Sequence, residues 1–191
     1  ESNLLNAEPD FKLMNMLGYD AMVLGNLDFS RPRDVLMKQR QWAGFPFLSA
    51  NIVKKDTGEF LGDPYIIKEC DGLKVAIFGL TMEDTPIAAK YGKDLDARSV
   101  IETAKALVPE LRKEADLVIA LTHIGFDDSY EPGSVQVAQA VPGIDVIISG
   151  SGWDIVLEQP KVVGNTLIAL VGKYGLYVGR LDLAIDSETE T

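Results

Sequence analysis

The chain has 191 residues, 47% hydrophobic and 25% charged, the balance of a globular domain able to bury a core, which excludes disordered, collagen-like and fibrous classes. Its 18 Lys and Arg stand against 29 Asp and Glu, a net charge of −11 that repels phosphate backbones, so a nucleic-acid polymer is not an expected partner. One cysteine, Cys70, excludes an internal disulfide framework and a cysteine-based zinc site, and one histidine, His123, is few for a nitrogen-rich metal centre.

From Pro9 to Leu17, Phe11, Leu13, Met14, Met16 and Leu17 recur near helical spacing, with Glu8 and Asp10 at the end the helix dipole favours for acid; Gly18 stops the run. Ala21 to Gly25 is a short apolar strand entering the loop Asn26 to Arg31, and Pro32 opens a helix through about Trp42. Phe45 to Val53 reads as another strand, turned back by Asp56-Thr57-Gly58 toward Gly62 as a hairpin. Asp71-Gly72, between Tyr65 to Glu69 and Leu73 to Leu80, is the strongest hairpin signal, and the nearly unbroken apolar run of the second strand predicts a central place in a sheet. Ala97 to Ala115 predicts a helix with Val100, Ile101, Ala104, Leu107, Val108 and Leu111 on one core stripe, kinked at Pro109. Leu117 to Thr122 is a buried strand presenting His123 at its end, and Ser134 is the expected N-cap of a short helix through Val141. Ile144 to Ser149 is a further strand running into the loop Gly150 to Asp154. From Val162 to Ile185, Gly164-Asn165 and Lys173-Tyr174-Gly175 separate strand-like runs without a helix, predicting antiparallel sheet. No repeat or linker divides the sequence, so a single α/β domain over 1–191 with a β-rich finish is expected. No apolar run approaches the ~20 residues that span a bilayer, and the first residues given do not read in the charged-then-apolar order of a signal peptide. Beginning at Glu1 without Met, the chain is expected to be processed or truncated.

Three strand ends carry polar, Gly-bearing loops: Gly25 to Ser30, Thr122 to Gly125, and Ser149 to Asp154. Ligands of open α/β sheets bind at such ends, so these loops are expected to converge on one crevice. There the Asn26 amide oxygen and a His123 ring nitrogen could share a divalent cation, with carboxylate from Asp28, Asp127, Asp128 or Asp154. Plainer readings stand beside these. His123 fits a strand-end histidine bonded to a neighbouring loop, Asn26 a residue satisfying loop backbone, Trp153 a filler that packs a cavity, and Asp127, Asp128 and Glu131 a solvated acidic loop.

The run Gly18-Tyr19-Asp20-Ala21-Met22-Val23-Leu24-Gly25-Asn26 resembles the stretch before the Gly-Asn-His-Glu or Gly-Asn-His-Asp motif of the exported 5'-nucleotidase and UDP-sugar hydrolase family. Phe47-Leu48-Ser49-Ala50-Asn51-Ile52, Phe78-Gly79-Leu80-Thr81, Leu121-Thr122-His123-Ile124-Gly125, Pro142 to Gly150 and Tyr177-Val178-Gly179-Arg180-Leu181-Asp182 follow in the family's order, so the resemblance covers almost the whole chain. It implies the calcineurin-like metallophosphoesterase fold, two packed mixed β-sheets flanked by helices in four αββα layers, here lacking the first strands and the nucleotide-specificity domain that normally follows.

The family's chemistry uses two divalent metals that activate a water and stabilise charge on the phosphoryl group. By this resemblance the first two ligand loops are expected before Glu1. In the third, Asn26 stands at a ligand position, Leu27 at the transition-state histidine and Ser30 at the Asp that orients it. His123 matches the ligand of the fourth loop. In the fifth, the family's Gly-His-x-His or Gly-His-x-Gln becomes Gly150-Ser151-Gly152-Trp153, so Ser151 and Trp153 stand at degenerate ligand positions. The expectation is a degenerate, catalytically inactive domain with no cofactor, kept for binding or assembly. One alternative is a 5'-nucleotidase-type phosphomonoesterase acting on nucleotides with two divalent metals (Mn, Zn, Co or Mg), completed by missing segments. Another is a single-metal or small-ligand module near Asn26, His123 and Trp153. A sheet without its first strands leaves sticky edges, so a protein partner or second copy is expected to cover them. The family's export implies a periplasmic or extracellular location.

Overall fold

A computed structural model describes residues 5–84, 91–127, 132–151 and 155–185. Helix α1 (Glu8–Met16) leads to β1 (Met22–Val23), a 3-10 turn (Asn26–Ser30), α2 (Arg33–Trp42), β2 (Phe47–Leu48) and β3 (Ile52–Lys54). The hairpin β4 (Tyr65–Cys70) and β5 (Leu73–Thr81) follows, then β6 (Leu95–Ala97), α3 (Val100–Leu111), β7 (Leu117–His123), α4 (Ser134–Ala140), β8 (Val146–Ser149), β9 (Lys161–Val163) and β10 (Thr166–Ala169).

The main sheet has six strands in the order β4-β5-β7-β8-β10-β9. β5, β7, β8 and β10 run parallel, with β4 and β9 antiparallel at the two edges. Asp71 (φ 51°) and Gly72 (φ 86°) both take the left-handed region, the conformation of a two-residue turn whose twist matches its strands, and they set the register from Tyr65↔Phe78 to Cys70↔Leu73. One face of this sheet is sealed: Ala76, Phe78 and Leu80 of β5, Val118 and Ala120 of β7, Ile147 and Ile168 are fully buried against the stripe of α3 and against α4. Each such Leu, Ile or Phe contributes about 1.5–3 kcal/mol of burial.

The β1–β2 pair crosses the opposite face at one end. Gly79 makes this possible, because a Cβ there would stand 2.6 Å from the Leu48 carbonyl, and the Ala50 amide donates to the Gly79 oxygen at 2.8 Å. Outside this pair lies a second core in which Phe11 of α1 stacks on Phe47 at 5.3 Å, with Leu24, Phe29, Leu36, Phe45, Ile52 and Leu61 around them. The layers thus run helix, sheet, sheet, helix, as the fold class requires, with β3 and β6 as a separate antiparallel pair.

The two strands β1 and β2 cover only part of the face they cross. β7 is apolar on both sides, yet Leu117, Ile119 and Leu121 alternate as half-exposed residues between fully buried Val118 and Ala120. In the same register Val75, Ile77 and Leu167 are also half-exposed, and Ile148 is 47% exposed.

Several elements depart from expectation. The stretch Phe45 to Val53 is two strands in different sheets, broken where fully buried Asn51 turns its amide onto Thr81, accepting from the Thr81 N–H at 2.9 Å and donating to its oxygen at 2.6 Å. α3 starts at Val100 rather than Ala97, because Leu95–Ala97 pairs with β3. It runs through Pro109 to Leu111. Gly133, not Ser134, caps α4, since the Ser134 hydroxyl is taken up in the core. At the finish only β9 and β10 form an antiparallel hairpin; β10 then joins β8 in parallel, and residues 176–185 carry no strand.

Candidate functional site

The strand ends do converge. Thr81 and His123 lie side by side at the ends of β5 and β7, and the Gly150 amide donates to the Thr122 oxygen at 2.7 Å. The Thr81 hydroxyl donates to the Leu24 oxygen at 2.7 Å, tying β1 to the same rim. Beyond Gly25 the chain closes into the 3-10 turn, held by the Gly25 amide donating to Asp28 Oδ2 at 2.7 Å. This turn brings Asn26 Oδ1 to 3.1 Å from His123 Nε2. A carbonyl oxygen only accepts, so Nε2 carries the hydrogen in this arrangement. Gly25 permits the approach: a Cβ there would meet the imidazole at 3.1 Å.

Burial lowers the pKa of His123 from 6.5, which keeps the ring neutral at pH 7. Burial raises the Asp28 carboxyl from 3.8 to about 6, against the lowering effect of the Gly25 N–H. Asp28 therefore serves the turn and is not aimed at His123. Asp127 is also engaged elsewhere, accepting from Gln136 Nε2 at 2.9 Å with Lys161 Nζ 3.8 Å away. The Ser30 hydroxyl donates to the Leu27 oxygen at 2.6 Å, within its own turn. Leu27 is 76% exposed and offers only alkyl surface. Ser151 follows Gly150 as a half-buried residue, whereas Trp153, Asp154, Asp128 and Glu131 lie outside the described residues. Among the described residues no group of three or more His, Cys, Asp or Glu is placed to hold a metal ion. The donors brought together, one amide and one neutral imidazole, do not fit a divalent metal pair.

A hydroxyl cluster beneath this rim is not evident from sequence spacing. Thr122 Oγ1 lies 3.0 Å from Ser134 Oγ, which lies 2.9 Å from Ser149 Oγ and 3.0 Å from the Gly125 oxygen. These buried hydroxyls join the ends of β7 and β8 to the start of α4, and so fix the His123 and Gly150 loops relative to one another. The sole trace in the sequence is a hydroxyl residue at each of three element ends.

No family model matches the chain. Over 95% of its length it is 41% identical to a 5'-nucleotidase of Vibrio cholerae and 37% identical to protein UshA of Escherichia coli, and it spans 38% of the length of each. Among solved structures it is similar to a 5'-nucleotidase precursor from Thermus thermophilus (TM-score 0.75, 25% identity, 90% of this chain and 36% of that one). It is also similar to the calcineurin-like phosphoesterase YfkN from Bacillus subtilis (TM-score 0.67, 28% identity, 78% of this chain and 50% of that one). Over the span it shares with these relatives, the chain belongs to the 5'-nucleotidase family and has its metallophosphoesterase-like fold.

Proposed function

We propose that this chain is a catalytically degenerate 5'-nucleotidase-like domain, exported to the periplasm or outside the cell and kept for binding or assembly. The observation that carries the reading is the Asn26–His123 hydrogen bond, in which two neutral side chains satisfy each other with no third ligand gathered around them among the described residues. Leu27 beside them has no donor for a phosphoryl oxygen, and Ser30 is turned into its own loop. The assembly role draws support from the sheet face left open beside β1 and β2. Strands as apolar on both sides as β5, β7 and β8 belong in a sheet covered on both faces, and a protein partner or a second copy would supply the cover.

The test is elemental analysis after dialysis with manganese, zinc and cobalt offered separately, with phosphate release from AMP followed on the same samples. The expected result is no stoichiometric metal and no release. Two metals per chain with turnover would overturn the proposal in favour of a nucleotidase; one metal without turnover would favour a single-metal binding module.

A further inference from the structure

A cleft of about 380 Å³ lies between α3 and the segment in which Phe60 bridges back to Val53 of β3, and it is lined in part by Phe60, Arg98, Ser99, Thr103, Ala106 and Leu107. Its volume is in the range of small-ligand sites, about 300–1,000 Å³. It shares no lining residue with the Asn26–His123 rim.

Two features make this cleft more than a gap in the surface. The first is how firmly Arg98 is placed. Its amide donates to the Asn51 oxygen at 2.8 Å, and its own oxygen accepts from the Asn51 side chain at 3.2 Å. The same side chain is locked onto Thr81, so the backbone at Arg98 is tied to the core of the main sheet. The second is what the guanidinium faces. It lies exposed over the Phe60 ring at 5.6 Å and forms no ion pair with a carboxylate among the described residues, in a chain whose net charge is −11. Glu102, which also lines the cleft, pairs with Lys105 at 2.9 Å rather than with Arg98. The first amides of α3 are occupied as well, Val100 N–H by Glu83 and Glu102 N–H by Ser99. Guanidinium, rather than the helix start, is thus the group available to an anion, while Pro64, Ala106 and Leu107 present apolar wall beneath it.

We infer that this cleft binds a small amphipathic anion, an aromatic or bulky apolar body carrying one carboxylate, which ion-pairs with Arg98 while its body lies against Phe60 and Leu107. A planar guanidinium held over an aromatic ring matches a carboxylate in geometry and an aromatic body in stacking.

The probe is naphthoate, titrated calorimetrically into the full chain. One site per chain is expected. Arg98→Gln should weaken binding about ten- to a hundredfold, the range for a lost charged hydrogen bond. Ala106→Trp, which fills the cleft, should abolish it, and the uncharged analogue naphthylmethanol should bind at least about tenfold more weakly. Both positions are exposed, so circular dichroism and Tm are expected to match wild type. Ile148→Glu, on the open sheet face, should leave binding unchanged. Absence of saturable binding, equal binding by both cleft variants, or loss in Ile148→Glu with retention in Ala106→Trp would each overturn the inference.

Discussion

The imidazole of His123 rests against backbone, and the absence of a Cβ at Gly25 is what admits it. Gly25→Ala forces the ring to move by a few tenths of an ångström, and the 3.1 Å bond to Asn26 cannot survive unchanged. The expected outcome is a shifted His123 ring resonance in proton–carbon NMR with a stability loss of about 1 kcal/mol; an unmoved resonance would show that the glycine is incidental. Asp28 yields a pH prediction. Its carboxyl ionises at about 6 in the folded chain and at 3.8 unfolded, so the folded state binds this proton more tightly. Its contribution is therefore most favourable below pH 4 and is lost as pH rises toward 6. Asp28→Asn keeps an oxygen for the Gly25 amide and removes the titration. Relative to wild type it should gain about 1 kcal/mol at pH 7, discounted for a partly exposed carboxyl, and nothing at pH 4, as read from urea unfolding. His123 acts in the opposite sense, because below pH 6.5 the unfolded chain takes up a proton that the buried ring resists. It is present in both proteins, so the difference between the two curves belongs to Asp28.

At the scale of elements, two packing devices hold the layers together, and each is exposed to a single substitution. Gly79→Ala places a methyl 2.6–2.7 Å from the Leu48 carbonyl and Cβ, where backbone rather than a flexible side chain must yield. A loss of about 3 kcal/mol or more in denaturant unfolding is expected. Ser134→Ala leaves Thr122 and Ser149 short of a partner in a site with no solvent access, with an expected loss of about 1–3 kcal/mol. Equal stability to wild type would mean that the remaining hydroxyls re-pair through Gly125.

How much was legible also differs by element. Local chemistry marked what local chemistry determines: Gly18 ends α1, Asp71-Gly72 forms the tight turn, and the apolar run of β5 lies inside the sheet. Tertiary pairing was not visible. Ala97 looks like the start of a helix until β3 claims Leu95–Ala97, and Ser134 looks like a cap until its hydroxyl meets Thr122 and Ser149 from distant strands. The convergence of the Asn26, His123 and Gly150 loops followed from their places at strand ends, whereas the inward roles of Asp28 and Ser30 depended on the turn geometry itself.

For the molecule as a whole, the open face of the sheet competes with net charge. Val75, Ile77, Ile119, Leu121 and Ile148 present apolar surface of the kind that drives association, while a charge of −11 keeps copies apart. Salt decides between the two forces, because it screens repulsion over about 10 Å at 0.1 M and leaves apolar burial intact. Sedimentation velocity of the purified chain should therefore show association increasing with both protein concentration and sodium chloride. Ile148→Glu should suppress it at every salt concentration with under about 0.5 kcal/mol effect on unfolding, since Ile148 is already half-exposed. Dissociation on adding salt would instead assign the contact to opposite charges and remove the support that this face lends to an assembly role.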